Sequence, residues 1–177
     1  MAAGGGVFIC CCRELRSGFP DHLCAGLREA GLTAVMGGGD LPKGVNLRDA
    51  IRCAIEDSTF SVVILSPEFA SSQFRLDELV QIKEQHAAGT HACLPVFFHI
   101  SPDDDCATLV VDSGSGGCFH DCFNRYKTQF TYRRVHAWIQ AIAWLAGISG
   151  WVLAAGRSVS IYLTIHTWLR FYLFQTI

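Results

Sequence analysis

The sequence predicts an α/β fold in which parallel strands form one sheet covered by helices on both faces. Three observations support this prediction. Short, continuous apolar runs alternate with longer segments whose apolar residues recur at helical spacing. The connections between them are short, as in chains that build a parallel sheet. Half of the 177 residues are hydrophobic, enough for the core of one ordinary domain.

Four apolar runs predict buried strands. The first, Val7–Cys10, follows a glycine stretch, and the second spans Leu32–Met36. The clearest is Phe60–Leu65, because five of its six positions are apolar. The fourth is Ala92–Phe98, in which Pro95 predicts incomplete hydrogen bonding or a position near a sheet edge.

Helices are predicted between and after these strands. Gly31 ends the first helix, and Asn46 is a residue type that caps the start of the second. Ser66 and Pro67 predict a turn and a short helical segment before the third. The predicted helices cover residues 19–30, 47–57, 76–86, 119–126 and 135–146.

Ligands of parallel sheets bind beyond the carboxyl ends of the strands. In this sequence those are the loops after Ile9, Met36 and Leu65. A GxxxxGK[ST] phosphate loop, a GxSxG nucleophile elbow and an HExxH pair are all absent from the sequence. Hydrolases and metalloproteases that use those motifs are therefore excluded.

Charge and cysteine content narrow the function further. The net charge is −2 and the pI about 6.4, so no overall field attracts nucleic acid. Nine cysteines without a secretion signal predict reduced thiols and a cytoplasmic location. Cys10–Cys12 are interpreted as strand residues, with a redox or acylation site as the alternative. Cys118, His120 and Cys122 lack a second ligand pair, so a helix face is predicted rather than a metal site.

The tail, residues 153–177, departs from the alternating pattern. Its last 19 residues include 12 apolar ones and no acid. That length is close to a membrane span, but Arg170 lies inside it and costs roughly 2.5–3.5 kcal/mol near the bilayer centre. Ile161, Ile165, Trp168 and Tyr172 share one helical face. We rank a membrane span below a packed amphipathic helix and a poorly ordered tail.

Residues 62–80 carry a more specific pattern. They read VVILSPEFASSQFRLDELV, which resembles the plant TIR (Toll/interleukin-1 receptor) pattern of a VVFS strand followed by YASS-x-W-C-L-x-EL. The segments VFI, DHLCAGLREAGL, AIEDS, LPVFF and SGW resemble further TIR motifs in the same order. The resemblance covers residues 7–152, between a flexible N-terminus at 1–6 and the tail.

The resemblance implies a flavodoxin-like TIR fold with a five-stranded parallel sheet flanked by helices. It also implies signalling in plant innate immunity, self-association, and hydrolysis of NAD+ at the nicotinamide–ribosyl bond. NAD+ would then be a substrate and not a cofactor. The implied protein partners are further copies of the chain and other TIR or immune-signalling proteins. His22 matches a position on the family's self-association face.

Glu78 matches the family's catalytic glutamate, at the predicted start of the third helix. Nicotinamide leaves a ribose that develops oxocarbenium character, and a nearby carboxylate stabilises that charge. Ser72 and Phe74 match positions that line the same pocket, as a hydroxyl donor and an aromatic wall. Arg13 and Gly38 are the other substrate-binding candidates. Without the resemblance, Glu78 would be interpreted as a surface charge that complements the helix dipole.

Several positions depart from the family pattern. Cys12-Arg13 stands where the family has an arginine–glycine pair, and Gly37–Gly39 replaces an acidic pair. Phe74 replaces a tryptophan, and Arg75 replaces the neighbouring cysteine. These departures favour the alternative of a catalytically inactive TIR interaction module that acts as an adaptor or decoy in defence signalling. A truncated gene product is a third interpretation, based on the atypical tail.

Overall fold

The computed structural model describes residues 6–37, 40–102 and 119–153, together with Thr164, Thr167, Trp168 and Phe171. One sheet of parallel strands in the order β2-β1-β3-β4-β5 forms its centre. The predicted five-stranded parallel sheet is confirmed. The strands are β1 (Gly6–Cys11), β2 (Ala34–Met36), β3 (Ser58–Leu65), β4 (Ala92–Phe98) and β5 (Trp151–Leu153).

Five helices surround the sheet in the described part of the chain. Two short 3-10 turns, Arg13–Leu15 and Phe69–Ser71, follow β1 and β3, and the second confirms the short helical segment predicted after Pro67. The third and fifth helices begin about one turn earlier than predicted, because an apolar stripe marks only buried turns. The helices are α1 (Phe19–Glu29), α2 (Leu47–Glu56), α3 (Gln73–Ala87), α4 (His120–Gln129) and α5 (Tyr132–Ala146).

The sheet separates two apolar cores. Successive side chains of a strand point to opposite faces, so Phe8 and Cys10 of β1 face one core while Val7 and Ile9 face the other. Residues of α2, α3, α4 and α5 fill the first core. The second core is filled from α1, which contributes the buried residues Leu23, Cys24 and Leu27. The helices α1 and α5 therefore lie on opposite faces of the sheet.

Polar contacts hold the connection from β2 to α2. Asp40 accepts hydrogen bonds from the backbone N–H of Met36 at 3.0 Å and from the guanidinium of Arg28 at 2.7 Å. Asn46 caps α2 as predicted, because its side-chain oxygen accepts the N–H of Arg48 at 2.9 Å. These contacts place Gly37, the first residue after β2, at the carboxyl edge of the sheet.

Strand β4 lies between β3 and β5, but β5 pairs with only part of it. The β4–β5 ladder begins at Val96, whereas β3 pairs with β4 from Ala92 onwards. Pro95 therefore has a strand neighbour on the β3 side alone, which matches the prediction of a position near an edge. Gly150 precedes β5, and a Cβ there would lie 2.3 Å from the carbonyl oxygen of Pro95.

Some predictions concern residues outside the described ranges. These are the N-terminus up to residue 5, Gly38, Cys118 and most of the tail. Among the described tail positions, the ring of Trp168 lies 5.3 Å from that of Trp151 in β5. Among the described residues, no helix has both the length and the apolar character needed to cross a bilayer.

Candidate functional site

A cavity of about 610 Å³ opens at the carboxyl edge of the sheet. The 3-10 turn after β1 supplies Arg13 to its lining, and the segment that enters α3 supplies Ser72 and Phe74. Arg16 and Arg75 line it as well. Three of the predicted substrate-binding residues thus converge on one hollow, and the volume is typical of a small-molecule site.

Glu78 lies in the second turn of α3, so the prediction that it sits at the start of a helix is wrong. The helix begins at Gln73, because Ser72 is the last residue with an extended backbone. The Glu78 side chain is only 2% exposed. Glu78 is among the residues that line a second cavity of about 320 Å³, and Phe74 lines both cavities.

Arg75 binds the carboxylate of Glu78. Its Nη1 atom lies 2.6 Å from Oε1 and 2.5 Å from Oε2 of Glu78, so one guanidinium nitrogen contacts both carboxylate oxygens. The thiol of Cys10, on β1, donates a third hydrogen bond to Oε2 at 3.2 Å. Arg75 contacts Glu78 and also lines the larger cavity, where Glu78 itself is not among the lining residues.

Burial and charge compete within this buried pair. Burial raises the pKa of Glu78, and the neighbouring guanidinium of Arg75 opposes the rise. Burial is the largest influence on the pKa of Arg75 and lowers it, but the charge and hydrogen bond of Glu78, together with Cys10 and Cys11, raise that pKa overall. Burial, together with the charge of Glu78, raises the pKa of Cys10 well above its usual value. Cys10 is therefore a neutral donor to an ion pair.

Gly37 makes room for the guanidinium of Arg75. A Cβ at Gly37 would lie 2.7 Å from Nη1 of Arg75 and 3.2 Å from Oε1 of Glu78, both closer than normal contact. The carbonyl oxygen of Gly37 accepts a hydrogen bond from Nη2 of Arg75 at 3.3 Å and another from Nη2 of Arg16. The backbone after β2 thus fixes both arginines at the edge of the sheet.

Asp77 holds α3 against α5. Its carboxylate accepts the indole N–H of Trp138 at 2.9 Å and the guanidinium of Arg134 at 2.8 Å. The guanidinium of Arg134 also lies 4.9 Å from the centre of the Trp138 ring. These contacts orient the helix that carries Arg75 and Glu78.

The other predicted positions occupy different environments. Phe74 is 43% exposed, and the guanidinium of Arg48 lies 5.3 Å from the centre of its ring. Ser72 occupies the N-cap position of α3, although its side chain makes no capping hydrogen bond to the helix. His22 is exposed on α1, on the opposite face of the sheet from α3. Gly38 lies outside the described residues.

The sequence identified Arg75 only as a departure from the TIR pattern, and its contact with Glu78 was not predicted. The available signal was its position three residues before Glu78 on a helix, since oppositely charged residues at that spacing are neighbours. In the described ranges, no group of three or more His, Cys, Asp or Glu residues is arranged to hold a metal ion.

The chain resembles proteins of known kind. A family model described as TIR domain matches residues 7–163. Disease resistance protein RPV1 of Vitis rotundifolia is 30% identical over 144 residues, which cover 81% of this chain and 10% of that protein. Disease resistance protein RBA1 of Arabidopsis thaliana is 28% identical over 145 residues, or 82% of this chain and 38% of that protein. The chain thus spans about a tenth of the length of the first of these relatives.

The solved structures include a close match in fold. The TIR domains of the activated Roq1 resistosome, which recognises the pathogen effector XopQ, superimpose with a TM-score of 0.82 at 27% sequence identity. The match covers 93% of this chain and 99% of the Roq1 chain. The arrangement of strands and helices around the site is therefore shared over nearly the whole of both chains.

Proposed function

This chain belongs to the TIR-domain family, and we propose that it signals in plant innate immunity by associating with other TIR domains and, once assembled, hydrolysing NAD+. The family match over residues 7–163 supports the signalling role, as do relatives named as disease resistance proteins. The likeness to TIR domains of a resistosome supports assembly. Assembly would take place in the cytoplasm, between copies of this chain or with other immune-signalling TIR proteins.

The observation that carries the catalytic part is the convergence of Arg13, Ser72 and Phe74 on one cavity of about 610 Å³. NAD+ is cationic at its nicotinamide ring and anionic at its diphosphate. The ring of Phe74 offers a flat apolar wall, and Ser72 offers a hydroxyl donor. The guanidinium of Arg13 complements the diphosphate. The cavity thus has a suitable group for the nicotinamide ring and for the diphosphate, with Ser72 as a further hydrogen-bond donor.

Glu78 is the residue to which we assign the chemical step. The nicotinamide–ribosyl bond breaks as nicotinamide leaves with the bonding electron pair, and positive charge develops on the ribose. Water then attacks the ribose carbon and loses a proton, which yields ADP-ribose. A carboxylate beside the ribose lowers the energy of the cationic transition state, as in glycoside hydrolysis. Burial limits solvent screening, so the field of this carboxylate is strong wherever no positive group pairs with it.

The test is release of nicotinamide from NAD+ by the full chain at high protein concentration, measured by chromatography. We expect Glu78→Gln to lower the rate by about 100-fold or more, since the neutral amide cannot stabilise a cation. The matched control is Glu56→Gln, which changes an exposed glutamate of α2 and should leave the rate unaltered. Equal rates for the wild type and Glu78→Gln would remove Glu78 from the mechanism.

One observation favours a second candidate, a TIR interaction module without catalysis. The carboxylate of Glu78 is neutralised by Arg75 and is 2% exposed, so it does not face bound substrate in this arrangement. An adaptor or decoy needs only the surfaces that contact other TIR domains. Absence of nicotinamide release from the wild-type chain, combined with concentration-dependent association, would favour this candidate.

A further inference from the structure

Two departures from the TIR pattern contact each other in this structure. By the TIR resemblance, Arg75 stands in place of a cysteine, and Gly37 belongs to the Gly37–Gly39 run that stands in place of an acidic pair. The Gly37 carbonyl accepts a hydrogen bond from Arg75, and a Cβ at Gly37 would lie 2.7 Å from the guanidinium. The absence of a side chain at position 37 therefore provides the space that Arg75 occupies. The two departures form one local arrangement.

This arrangement controls the charge that Glu78 presents. Arg75 and Glu78 form an ion pair in which the two side chains are 9% and 2% exposed, respectively. A carboxylate paired with a guanidinium at 2.6 Å has nearly zero net charge when viewed from the neighbouring cavity. It therefore gives little electrostatic stabilisation to a developing ribose cation.

We infer that Arg75 locks Glu78 in an inactive ion pair, and that a phosphate group entering the 610 Å³ cavity unlocks the pair by binding the guanidinium. Arg75 is thus a positioning residue that acts through Glu78. The inference rests on the proposed function, because release of Glu78 affects catalysis only if Glu78 is the catalytic carboxylate.

The lining of the cavity supports the choice of phosphate. Three arginines, Arg13, Arg16 and Arg75, are among its lining residues, with Glu14 as the acidic residue of the lining. Guanidinium binds phosphate through two parallel hydrogen bonds, and Arg75 already reaches the cavity. The Nε atom of Arg16 is buried and has no hydrogen-bond partner among the described residues.

The helix end strengthens the same preference. Ser72, Gln73 and Phe74 of the first turn of α3 line the cavity, and the N-terminus of a helix attracts anions. A phosphate held there would compete with Glu78 for the guanidinium. NAD+ carries two phosphates, so the substrate itself could supply the group that unlocks the site.

The first experiment measures the ionisation of Glu78 directly. In protein labelled with ¹³C-glutamate, the carboxyl resonance of Glu78 is the one that disappears in Glu78→Gln. The ionisable groups that face this carboxyl are Arg75 on α3, Cys10 on β1 and Arg16 after β1. We expect Arg75→Met, which keeps an apolar stem but removes the charge, to raise the pKa of Glu78 by about 1–3 units.

The matched control is Arg52→Met. Arg52 is an exposed arginine of α2 that pairs with Asp49 at 3.4 Å, and its loss should leave the Glu78 resonance unchanged. Wild-type protein titrated with inorganic pyrophosphate tests the unlocking without any substitution. We expect the Glu78 resonance to shift in the same direction as in Arg75→Met. No shift at millimolar pyrophosphate would overturn the phosphate part of the inference.

The second experiment measures nicotinamide release from NAD+. We expect Arg75→Met, assayed at a pH above the pKa of Glu78 in that variant so that the carboxylate is ionised, to exceed the wild-type rate by about tenfold or more, and Arg75→Lys, which restores a positive charge, to return it towards the wild-type rate. The gain should be absent from the double variant Arg75→Met, Glu78→Gln. The pyrophosphate titration uses wild-type protein. It therefore still tests whether phosphate opens the Arg75–Glu78 ion pair if Arg75→Met does not fold.

The outcomes distinguish a failure of the inferred Arg75–Glu78 inhibition from a failure of the proposed NAD+ hydrolysis. An unchanged pKa of Glu78 in folded Arg75→Met overturns the lock even if the wild type hydrolyses NAD+. An unchanged rate in Arg75→Met, beside an active wild type, also overturns it. A raised pKa with no nicotinamide release from any variant supports the ion pair but contradicts NAD+ hydrolysis.

Discussion

At the residue scale, Gly37 is important because it has no side chain and so leaves room for its neighbours. A Cβ there would lie 2.7 Å from Nη1 of Arg75 and 3.2 Å from Cζ of Phe8. Arg75 can shift because it is flexible, but Phe8 is completely buried and its ring has little room to move. We expect Gly37→Ala to lower the free energy of unfolding by about 1–3 kcal/mol, measured by urea denaturation.

The matched control for this substitution is Gly147→Ala. Gly147 follows α5 with a φ of −79°, and a Cβ there would make an ordinary 3.4 Å contact with the carbonyl oxygen of Trp144. Alanine adopts that backbone without strain, so stability should change by less than about 1 kcal/mol. A Gly37→Ala protein as stable as wild type would show that the surroundings of Arg75 can rearrange freely.

The sequence predicted the site unevenly at this scale. The TIR resemblance implied that Ser72 and Phe74 line one pocket with Glu78, whereas the structure places Ser72 and Phe74 beside Arg13 on the larger cavity, whose lining does not include Glu78. It did not predict the pairing of Arg75 with Glu78. A family pattern describes what related chains share, whereas this ion pair arises from residues in which the chain departs from that pattern.

At the element scale, His91 joins β3 to the start of β4. The ring is buried between them, where Nδ1 donates to the carbonyl oxygen of Ser58 at 2.8 Å. The Nε2 atom, which carries no proton in this tautomer, accepts the hydroxyl of Ser61 at 2.7 Å. Burial lowers the pKa of His91, because the charged ring would lose its hydration.

A pH dependence of stability follows from this histidine. The unfolded chain takes up a proton near pH 6.5, whereas the folded chain takes it up only at a lower pH. The contribution of His91 to stability is therefore present above pH 6.5 and is lost as the pH falls through the folded-state pKa. The loss is at most about 1.4 kcal/mol per pH unit, measured by urea denaturation between pH 8 and pH 5.

His91→Gln tests whether that slope comes from this residue. The variant should lose part of the slope, since glutamine does not titrate. At pH 8 the difference between the two proteins gives the cost of replacing the ring alone, which serves as an internal control. Identical slopes for wild type and variant would assign the pH dependence to other groups.

At the same scale, helices and strands with a strong local sequence pattern were predicted from it, whereas those without such a pattern were not. Asn46 caps the start of α2 with its own side-chain hydrogen bonds, so its residue type was enough to predict where that helix begins. The strand β5 has only three residues, and the TIR resemblance alone implied it. Its pairing with β4 depends on Gly150, which permits close approach to Pro95. That contact between distant residues leaves no local pattern in the sequence.

At the scale of the whole molecule, the two faces of the sheet carry different helices. His22 is exposed on α1, and α2, α3, α4 and α5 pack on the other face. If TIR–TIR contacts form through the α1 face, a change at His22 acts on assembly without reaching the cavity. We expect His22→Ala to raise the dissociation constant for self-association by about tenfold, measured by sedimentation velocity.

The control uses the same change on the opposite face. His136 is exposed on α5, so His136→Ala should leave self-association as in the wild type. Equal weakening by both variants would point to a general loss of stability. An unaltered dissociation constant for His22→Ala would place the self-association surface elsewhere on the molecule.

The burial of the cysteine run in β1 also has a practical consequence for chemical labelling. Thiol reagents attack the thiolate, and burial raises the pKa of Cys11 to about 12. At neutral pH only about one molecule in 10⁵ would then carry that thiolate. Cys53, on α2, is the exposed cysteine among the described residues. Of the cysteines in the described ranges, Cys53 would therefore react first with a maleimide dye, which would give a fluorescent reporter on a helix next to the cavities.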